Sequence, residues 1–326
     1  MKKSALLLEL DRSKDYVSGE QLSQILGVSR TAVWKQIQGL REQGYEIEAQ
    51  PRIGYRLLKR PDLLLPEEIA SGLGTDYLGQ EVVHYDEVDS TNDAARRLAQ
   101  QGAPAGTLVV AERQTGGKGR MGRSWISPAG EGLWFSFILR PKMLPQEAPR
   151  ITLVAAVAVA QALRSLTGLD IRIKWPNDLL IKGKKITGIL TEMNSEIGRI
   201  NYLVVGIGIN VDINPISLPP EVRVKATSLS AYLNRKLSRL ELLRRCLEEL
   251  ERYFEKWQVG GFDKILEEWK QLSATLGNRV QVMVLEDLIE GLAEDIGADG
   301  SLLLRLDDGT SYQVVAGDVM FGAKSD

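Results

Sequence analysis

A chain of 326 residues is longer than one compact domain usually needs, so two or three units are expected. Apolar residues at 44% and charged residues at 26% are ordinary for a globular protein and exclude collagen-like, disordered and coiled-coil classes. One cysteine, Cys246, and one histidine, His84, exclude an internal disulfide, a thiolate zinc site and a histidine metal cluster, and allow a Ser-His-Asp triad only through His84.

The longest apolar run, 151–160, is shorter than the roughly 20 residues that cross a bilayer. The basic start at Lys2 and Lys3 is followed by an apolar stretch that Glu9 and Asp11 interrupt, unlike a signal peptide. A cytoplasmic protein without membrane association is expected. Net charge is −2, yet residues 1–60 hold eleven Lys/Arg against seven Asp/Glu, so a polyanion would meet this basic head first.

In the head, Ser18 and Gln21 form a capping-box pattern that opens a helix with Leu22, Ile25 and Leu26 on one face, closed by Gly27. Ser29 is placed to cap a second helix from 30 to about 43, closed by Gly44. Val33, Ile37 and Leu40 recur at helical spacing and point inward; Thr31, Lys35 and Gln38 fall on the opposite face, with Arg30 and Trp34 at its margins. Short strands at 45–48 and 55–58 flank a hairpin tip carrying Arg52. This is the layout of a winged helix-turn-helix; a small module used only for packing has the same pattern. The run Gly27-Val28-Ser29-Arg30-Thr31-Ala32-Val33-Trp34-Lys35 resembles the start of the recognition helix in bacterial repressors, which implies DNA binding. Thr31, Lys35 and Gln38 are then the candidates for base edges, with Arg30 and Arg52 on phosphates.

Charge and proline at 59–62 mark a boundary. Beyond it, strands are expected at 107–111, 133–139, 171–175, 186–192 and 201–211, with a long buried helix at 145–166, giving an α/β or α+β layer around a central sheet. After the first of these strands comes Gln114-Thr115-Gly116-Gly117-Lys118-Gly119-Arg120-Met121-Gly122-Arg123-Ser124-Trp125. Its glycines let backbone amides approach a ligand and its basic residues attract an anion, so a mobile loop that orders around an anion is expected. A phosphate loop must open a helix, and here a turn into a strand follows, so that reading is rejected. Gly206-x-Gly208 has Val211 where a dinucleotide fold needs a third glycine, and lies inside a strand pattern. In the tail, helices at 240–257 and 262–272 precede short strands at 279–285, 288–296, 302–306 and 311–315 with Asp-Gly turns, which suits a small barrel resembling an SH3 domain. Cys246 sits at a helical core or flank position.

The glycine-basic loop, Asp89-Ser90-Thr91-Asn92, Lys174-Trp175-Pro176-Asn177-Asp178, Lys185-Ile186-Thr187-Gly188-Ile189-Leu190 and Gly206-Ile207-Gly208-Ile209-Asn210 together resemble, in order and spacing, the motifs of the biotin protein ligases. With the head and tail, the resemblance covers essentially the whole chain and extends to the bifunctional ligases that also repress the biotin operon. It implies an α+β multidomain chain: a winged helix-turn-helix (1–62), a central mixed-sheet ligase domain similar to the class II aminoacyl-tRNA synthetases (63–275) and an SH3-like barrel (276–326).

The implied reaction joins biotin and ATP into biotinyl-5'-adenylate and passes the biotinyl group to a lysine of a biotin carboxyl carrier protein, that of acetyl-CoA carboxylase or a related carboxylase. Bringing a carboxylate to a triphosphate calls for charge neutralisation and positioning rather than a side-chain nucleophile. By resemblance Arg120 and Lys185 are the catalytic pair, gripping the carboxylate and the α-phosphate. Ser90, Thr91, Asn92, Gln114, Gly117, Lys118, Gly119 and Gly188 join them around biotin, where a neutral ureido ring needs hydrogen-bonding partners. Arg123, Trp125, Asn177 and Asn210 are expected on ATP, and Asp178 near a Mg2+ ion. Trp125 and Trp175 also read as core aromatics, and Asp178 as a turn cap with Asn177. The family often has arginine at the position of Lys118, which leaves backbone contacts as the surer role there. The barrel would touch ATP, touch the carrier or only support the body. Resemblance further implies a homodimer when adenylate is bound, with two heads on a palindromic operator and the adenylate as corepressor. The competing readings are a lipoate ligase, which would lack the ureido ring to recognise, a ligand-sensing transcription factor without enzyme activity, and a ligase whose head is inert toward DNA.

Overall fold

The computed structural model describes residues 2–284 and 287–321. The chain divides into two compact units, Met1–Leu73 and Gly74–Asp326.

The first unit contains helices α1 (Lys2–Ser13), α2 (Gly19–Leu26) and α3 (Arg30–Glu42), the antiparallel pair β1 (Glu46–Gln50) and β2 (Gly54–Lys59), and helix α4 (Pro66–Ala70). Ser18 closes the expected capping box with Gln21, and Gly27 ends α2 in the left-handed region at φ 61°. Ser29 accepts the Ala32 amide at the start of α3. Leu22, Val33, Ile37 and Leu40 are buried as expected, together with Leu6, Leu7 and Leu10 from α1, a helix the sequence reading did not anticipate. Ile25 was expected on the inner face and is exposed instead (57%). The buried stripe of α2 turns from Leu22 toward Leu26, away from Ile25. Residues 63–73 pack with the head rather than the body: α4 lies on α1, and its buried Glu68 accepts the Tyr45 hydroxyl at 2.6 Å and pairs with Arg60. Burial and then the Glu68 contact push the Tyr45 hydroxyl well above its ordinary pKa.

The second unit is built on β3 (Val82–Val88), β4 (Leu108–Gln114), β5 (Gly132–Leu139), β6 (Ile171–Lys174), β7 (Asp178–Ile181), β8 (Lys184–Glu196) and β9 (Arg199–Asn210). Their order in the sheet is β3-β4-β5-β9-β8-β7-β6. Only β3 and β4 run parallel; every other neighbour pair is antiparallel, which makes the sheet mixed. Helix α5 (Thr91–Gln100) packs against β4, β5 and β9. Helix α6 (Ala148–Thr167) packs on β6, β7 and β8 and beneath α8 (Arg239–Gly260) and α9 (Asp263–Leu272); the short α7 (Pro220–Arg223) lies between. By length and composition the stretch Pro145–Thr167 is apolar enough to cross a membrane, but Ile151, Leu153 and every residue from Val154 through Ala160 are buried in the protein core. Cys246 is buried on α8.

The chain ends in β10 (Arg279–Val284), β11 (Asp287–Ile296), β12 (Leu302–Arg305), β13 (Ser311–Val314) and β14 (Asp318–Phe321), an antiparallel sheet in the order β13-β12-β11-β10-β14. This is the small all-β module expected at the terminus. Position 285, the end of the expected first strand, lies outside the described residues. Trp175 is buried, its indole nitrogen donating to the Gly300 carbonyl at 3.0 Å, so of its two expected roles it takes the core one. Strands β3, β7 and β14 escaped the sequence reading because they are short or carry polar residues at the positions that give a strand its alternation.

Candidate functional site

The cavity over the ends of β4, β8 and β9 is lined by Ser90, Thr91, Asn92, Gln114, Lys118, Gly119, Arg120, Arg123, Trp125, Asn177, Asp178, Lys185 and Gly188, together with Ile189, Leu190, Gly206, Gly208 and Asp318. The expected site residues therefore converge, except two. Gly117 serves the loop from behind: a Cβ there would stand 2.4 Å from the Trp125 carbonyl oxygen. Asn210 donates to the Thr227 carbonyl at 3.0 Å and is absent from the cavity wall.

One side of the cavity presents uncharged hydrogen-bonding side chains at and beside the start of α5. Ser90 caps the helix, accepting the Asp93 amide. The Gln114 side-chain carbonyl accepts from the Thr91 amide (2.8 Å) and hydroxyl (3.1 Å). The Gln114 amide nitrogen donates to Ser127 at 2.8 Å. Asn92 accepts the Ser136 hydroxyl at 2.6 Å and donates to Glu192 at 2.7 Å and to the Leu190 carbonyl at 3.3 Å. Gly206 makes room for it, since a Cβ at that position would lie 1.8 Å from the Asn92 carbonyl oxygen. Ser136 and Glu192, which hold this network from β5 and β8, were not singled out in the sequence. The only signal for Ser136 is a polar residue within an otherwise apolar strand, and Glu192, in a strand with many polar residues, has none.

The other side is charged. Lys185 on β8 pairs with Asp178 at the start of β7 at 2.6 Å, and its ammonium stands 5.1 Å from the Trp125 ring centroid. Arg120 donates to the Asn177 side chain at 3.3 Å and to the Gly317 carbonyl at 3.2 Å, and lies 3.6 Å from Asp318. Arg123 pairs with the same Asp318. Burial pulls the Arg120 pKa below the ordinary arginine value, against the opposing fields of Asp318 and Asp178. Lys174 is also lowered, by burial first and then by Lys185 and Arg123 nearby. Four cations thus surround two carboxylates, a local surplus suited to a polyanion. Lys118 stands apart, paired with Asp93 of α5 at 2.6 Å. Asp318 was missed as a site residue, being distant in sequence with no local mark, while Lys174, which stands in a quoted motif, is off the cavity wall and reaches the site only through its charge.

Trp125 lies between these two sides. Its ring rests on β8 and β9, where a Cβ on Gly188 or Gly208 would come within 2.9 Å or 2.4 Å of it, and it meets Trp134 edge-on at 6.3 Å. Asp178 begins a strand instead of capping a turn, while Asn177 ties to β8 through the Ile189 carbonyl at 2.8 Å. The basic loop carries a short 3-10 turn, Arg120–Gly122, closed by an antiparallel bridge between Lys118 and Ser124, with no helix after it, in agreement with the rejection of a phosphate loop. His84 lies 3.5 Å from Glu112, which is held by the buried Arg239 at 2.8 Å.

On the first unit, Arg30, Thr31, Trp34 and Lys35 are exposed along α3 and Gln38 is half-buried. Arg52 is exposed at the tip of the β1–β2 hairpin, with φ 66°. These residues leave one face of the head polar, basic and open.

The sequence matches the Biotin/lipoate A/B protein ligase family over residues 85–210, an HTH domain over 2–56 and the Biotin protein ligase C terminal domain over 275–322. It is 41% identical over 322 residues, 99% of both chains, to the bifunctional ligase/repressor BirA of Bacillus subtilis. It is 32% identical over 302 residues, 92% of both, to that of Escherichia coli. The fold is similar to that of the biotin protein ligase from Aquifex aeolicus in complex with biotin and ATP, with TM-score 0.64 and 30% identity over 74% of this chain and 98% of that one.

Proposed function

This chain belongs to the bifunctional biotin ligase/repressor family, and on that premise we propose how its residues divide the work. The protein is an ATP-dependent biotin ligase with a DNA-binding repressor head. The observation that carries the assignment of residues is the juxtaposition of a neutral hydrogen-bond network with a cationic one in a single cavity. The neutral side suits the ureido ring of biotin, through Ser90, Thr91, Asn92 and Gln114. The cationic side suits the biotin carboxylate and the triphosphate, through Arg120, Lys185, Arg123 and Lys174. The carboxylate oxygen attacks the α-phosphorus and pyrophosphate departs with the broken phosphoanhydride bond. The lysine amine of the carrier then attacks the acyl carbon and AMP leaves. Arg120 and Lys185 neutralise the two reacting anions, which would otherwise repel, and hold them in line. Trp125 offers its face to adenine, and the Lys118 and Gly119 backbone closes over the acyl group.

Mg2+ fits the donor set. Asp178 presents a carboxylate to the cavity, one oxygen paired with Lys185 at 2.6 Å, and one carboxylate plus phosphate oxygens is an ordinary environment for this ion. When bound it would offset charge on the departing pyrophosphate. The acceptor is the carrier protein of acetyl-CoA carboxylase or a related carboxylase. We assign 1–62 to DNA binding, with Arg30 and Arg52 on phosphates and Thr31, Lys35 and Gln38 on base edges, 63–73 to the support of that head, 74–275 to the ligase and 276–326 to the SH3-like module. Two adenylate-bound copies in the cytoplasm would place two heads on a palindromic operator.

The test is biotin-dependent pyrophosphate release from ATP, run beside Arg120→Ala. Release with biotin but not lipoate, lost or uncoupled in the variant, is expected. Absence of release with either acid would leave a ligand-sensing regulator as the better account. Binding of an operator-like duplex only with biotin and ATP, weakening as salt rises, is expected for an active head.

A further inference from the structure

We propose that Asp318, on the last described strand of the chain, is an internal stand-in for phosphate that holds Arg120 and Arg123 until a nucleotide displaces it. This rests on the reading that a triphosphate enters the cationic side of the cavity.

The geometry is that of a carboxylate shared by two arginines across a long chain separation. Asp318 pairs with Arg123 and lies 3.6 Å from Arg120, while Arg120 donates to the carbonyl of the neighbouring Gly317 at 3.2 Å. Asp318 is largely covered, its side chain 21% exposed. Its position on β14 is fixed by pairing with β10, with Met283 opposite. On the arginine side, Arg120 is mostly buried and loses solvation there, so a guanidinium in this place needs an anion nearby. Without nucleotide, Asp318 supplies it.

A phosphate that takes the same two guanidiniums meets Asp318 as a like charge at close range, which is unfavourable. The carboxylate must then swing away or lose its partners. Nucleotide affinity is accordingly set against the Asp318 contact, and the tail sheet becomes a competitor for the loop as well as its neighbour. This is a positioning role acting through Arg120 and Arg123, with no contact to a reacting atom.

The experiment measures ATP and biotin KM and kcat for adenylate formation in the full chain at low and high salt. It compares the wild type with Asp318→Asn, Asp318→Glu and the distant acidic control Asp308→Asn. Neutral Asp318→Asn is expected to lower the ATP KM by about three- to tenfold at low ionic strength, as removal of one competing charge at this separation implies. The difference should shrink in high salt, with the biotin KM following neither change. Asp318→Glu keeps the charge and should keep the wild-type ATP KM, and Asp308→Asn should not alter it. A raised ATP KM in Asp318→Asn overturns the proposal and makes the carboxylate part of the nucleotide or magnesium site. An unchanged KM overturns it as well, since the ion pair would then be incidental. Failure of the wild type itself to form adenylate would refute the underlying reading instead, and intrinsic tryptophan fluorescence with pyrophosphate titration of each variant separates misfolding from either outcome.

Discussion

Replacing Gly206 with alanine tests the neutral half of the cavity. The new Cβ would stand 1.8 Å from the Asn92 carbonyl oxygen and 2.7 Å from its Cγ, so the Asn92 side chain has to leave its place. Moving it breaks its bonds to Ser136, Glu192 and the Leu190 carbonyl. At roughly 0.5–1.5 kcal/mol net for each, with Ser136 keeping its bond to Thr91 and the half-buried Glu192 carboxylate losing its Asn92 donor, the cost is about 2–4 kcal/mol. Urea unfolding of the second unit should show this loss, and the biotin KM should rise at least tenfold because the moved side chain lies in the cavity. The pair Gly206→Ala with Asn92→Ala should cost within about 1 kcal/mol of Asn92→Ala alone, since the obstruction has gone. Full additivity, or a Gly206→Ala protein with unaltered stability and biotin KM, would show that Asn92 does not depend on the space glycine leaves, and the reasoning would fail.

Gly208→Ala should displace Trp125, whose indole nitrogen would lie 2.4 Å from the new Cβ, and is expected to raise the ATP KM while leaving DNA binding by the head unaltered in a filter or fluorescence assay. In the head, Lys35→Ala should lower the slope of log affinity against log salt by about 0.9 if Lys35 touches a phosphate, and leave it unchanged if it reads a base edge. Glu112→Leu removes one charged partner of buried Arg239, which also donates to the Gly132 carbonyl, and should destabilise by about 3–5 kcal/mol in thermal or chemical unfolding. Tyr253 has its hydroxyl raised from 10.0 to about 12 by burial and then by Glu268, so its neutral form is favoured by folding. That stability is fully present below pH 10 and is lost as pH rises toward 12, and Tyr253→Phe should flatten this part of the alkaline unfolding curve.

The cationic loop and its glycines were legible because close backbone approach and anion attraction leave a composition that nothing else explains. The same holds for the head: Ser18, Gly27 and Ser29 cap two helices through local hydrogen bonds, so their sequence distance and spatial distance coincide. Ser136, Glu192 and Asp318 were not legible. Each reaches the cavity only because β5, β8 and β14 are placed by long-range pairing, and neighbouring residues in the chain carry no trace of that. Helix α1 was missed for a different reason: its start was judged only against a signal peptide, whereas Leu6, Leu7 and Leu10 repeat at helical spacing and fill the core of the head. Asn210 was expected on the nucleotide from its motif, yet its side chain spends its donor on the Thr227 carbonyl.

The placement of α4 with the head bears on how such a module could be gained or lost between genes. A recombination joint after residue 62 would strip Glu68 from Tyr45 and Arg60, leaving a buried hydroxyl unpartnered and a new apolar surface where α4 had lain on α1. A joint after Leu73 carries the helix along and leaves both bonds whole. The head should therefore travel as a cassette of 73 residues, and chimaeras built with the shorter piece should be the ones that aggregate.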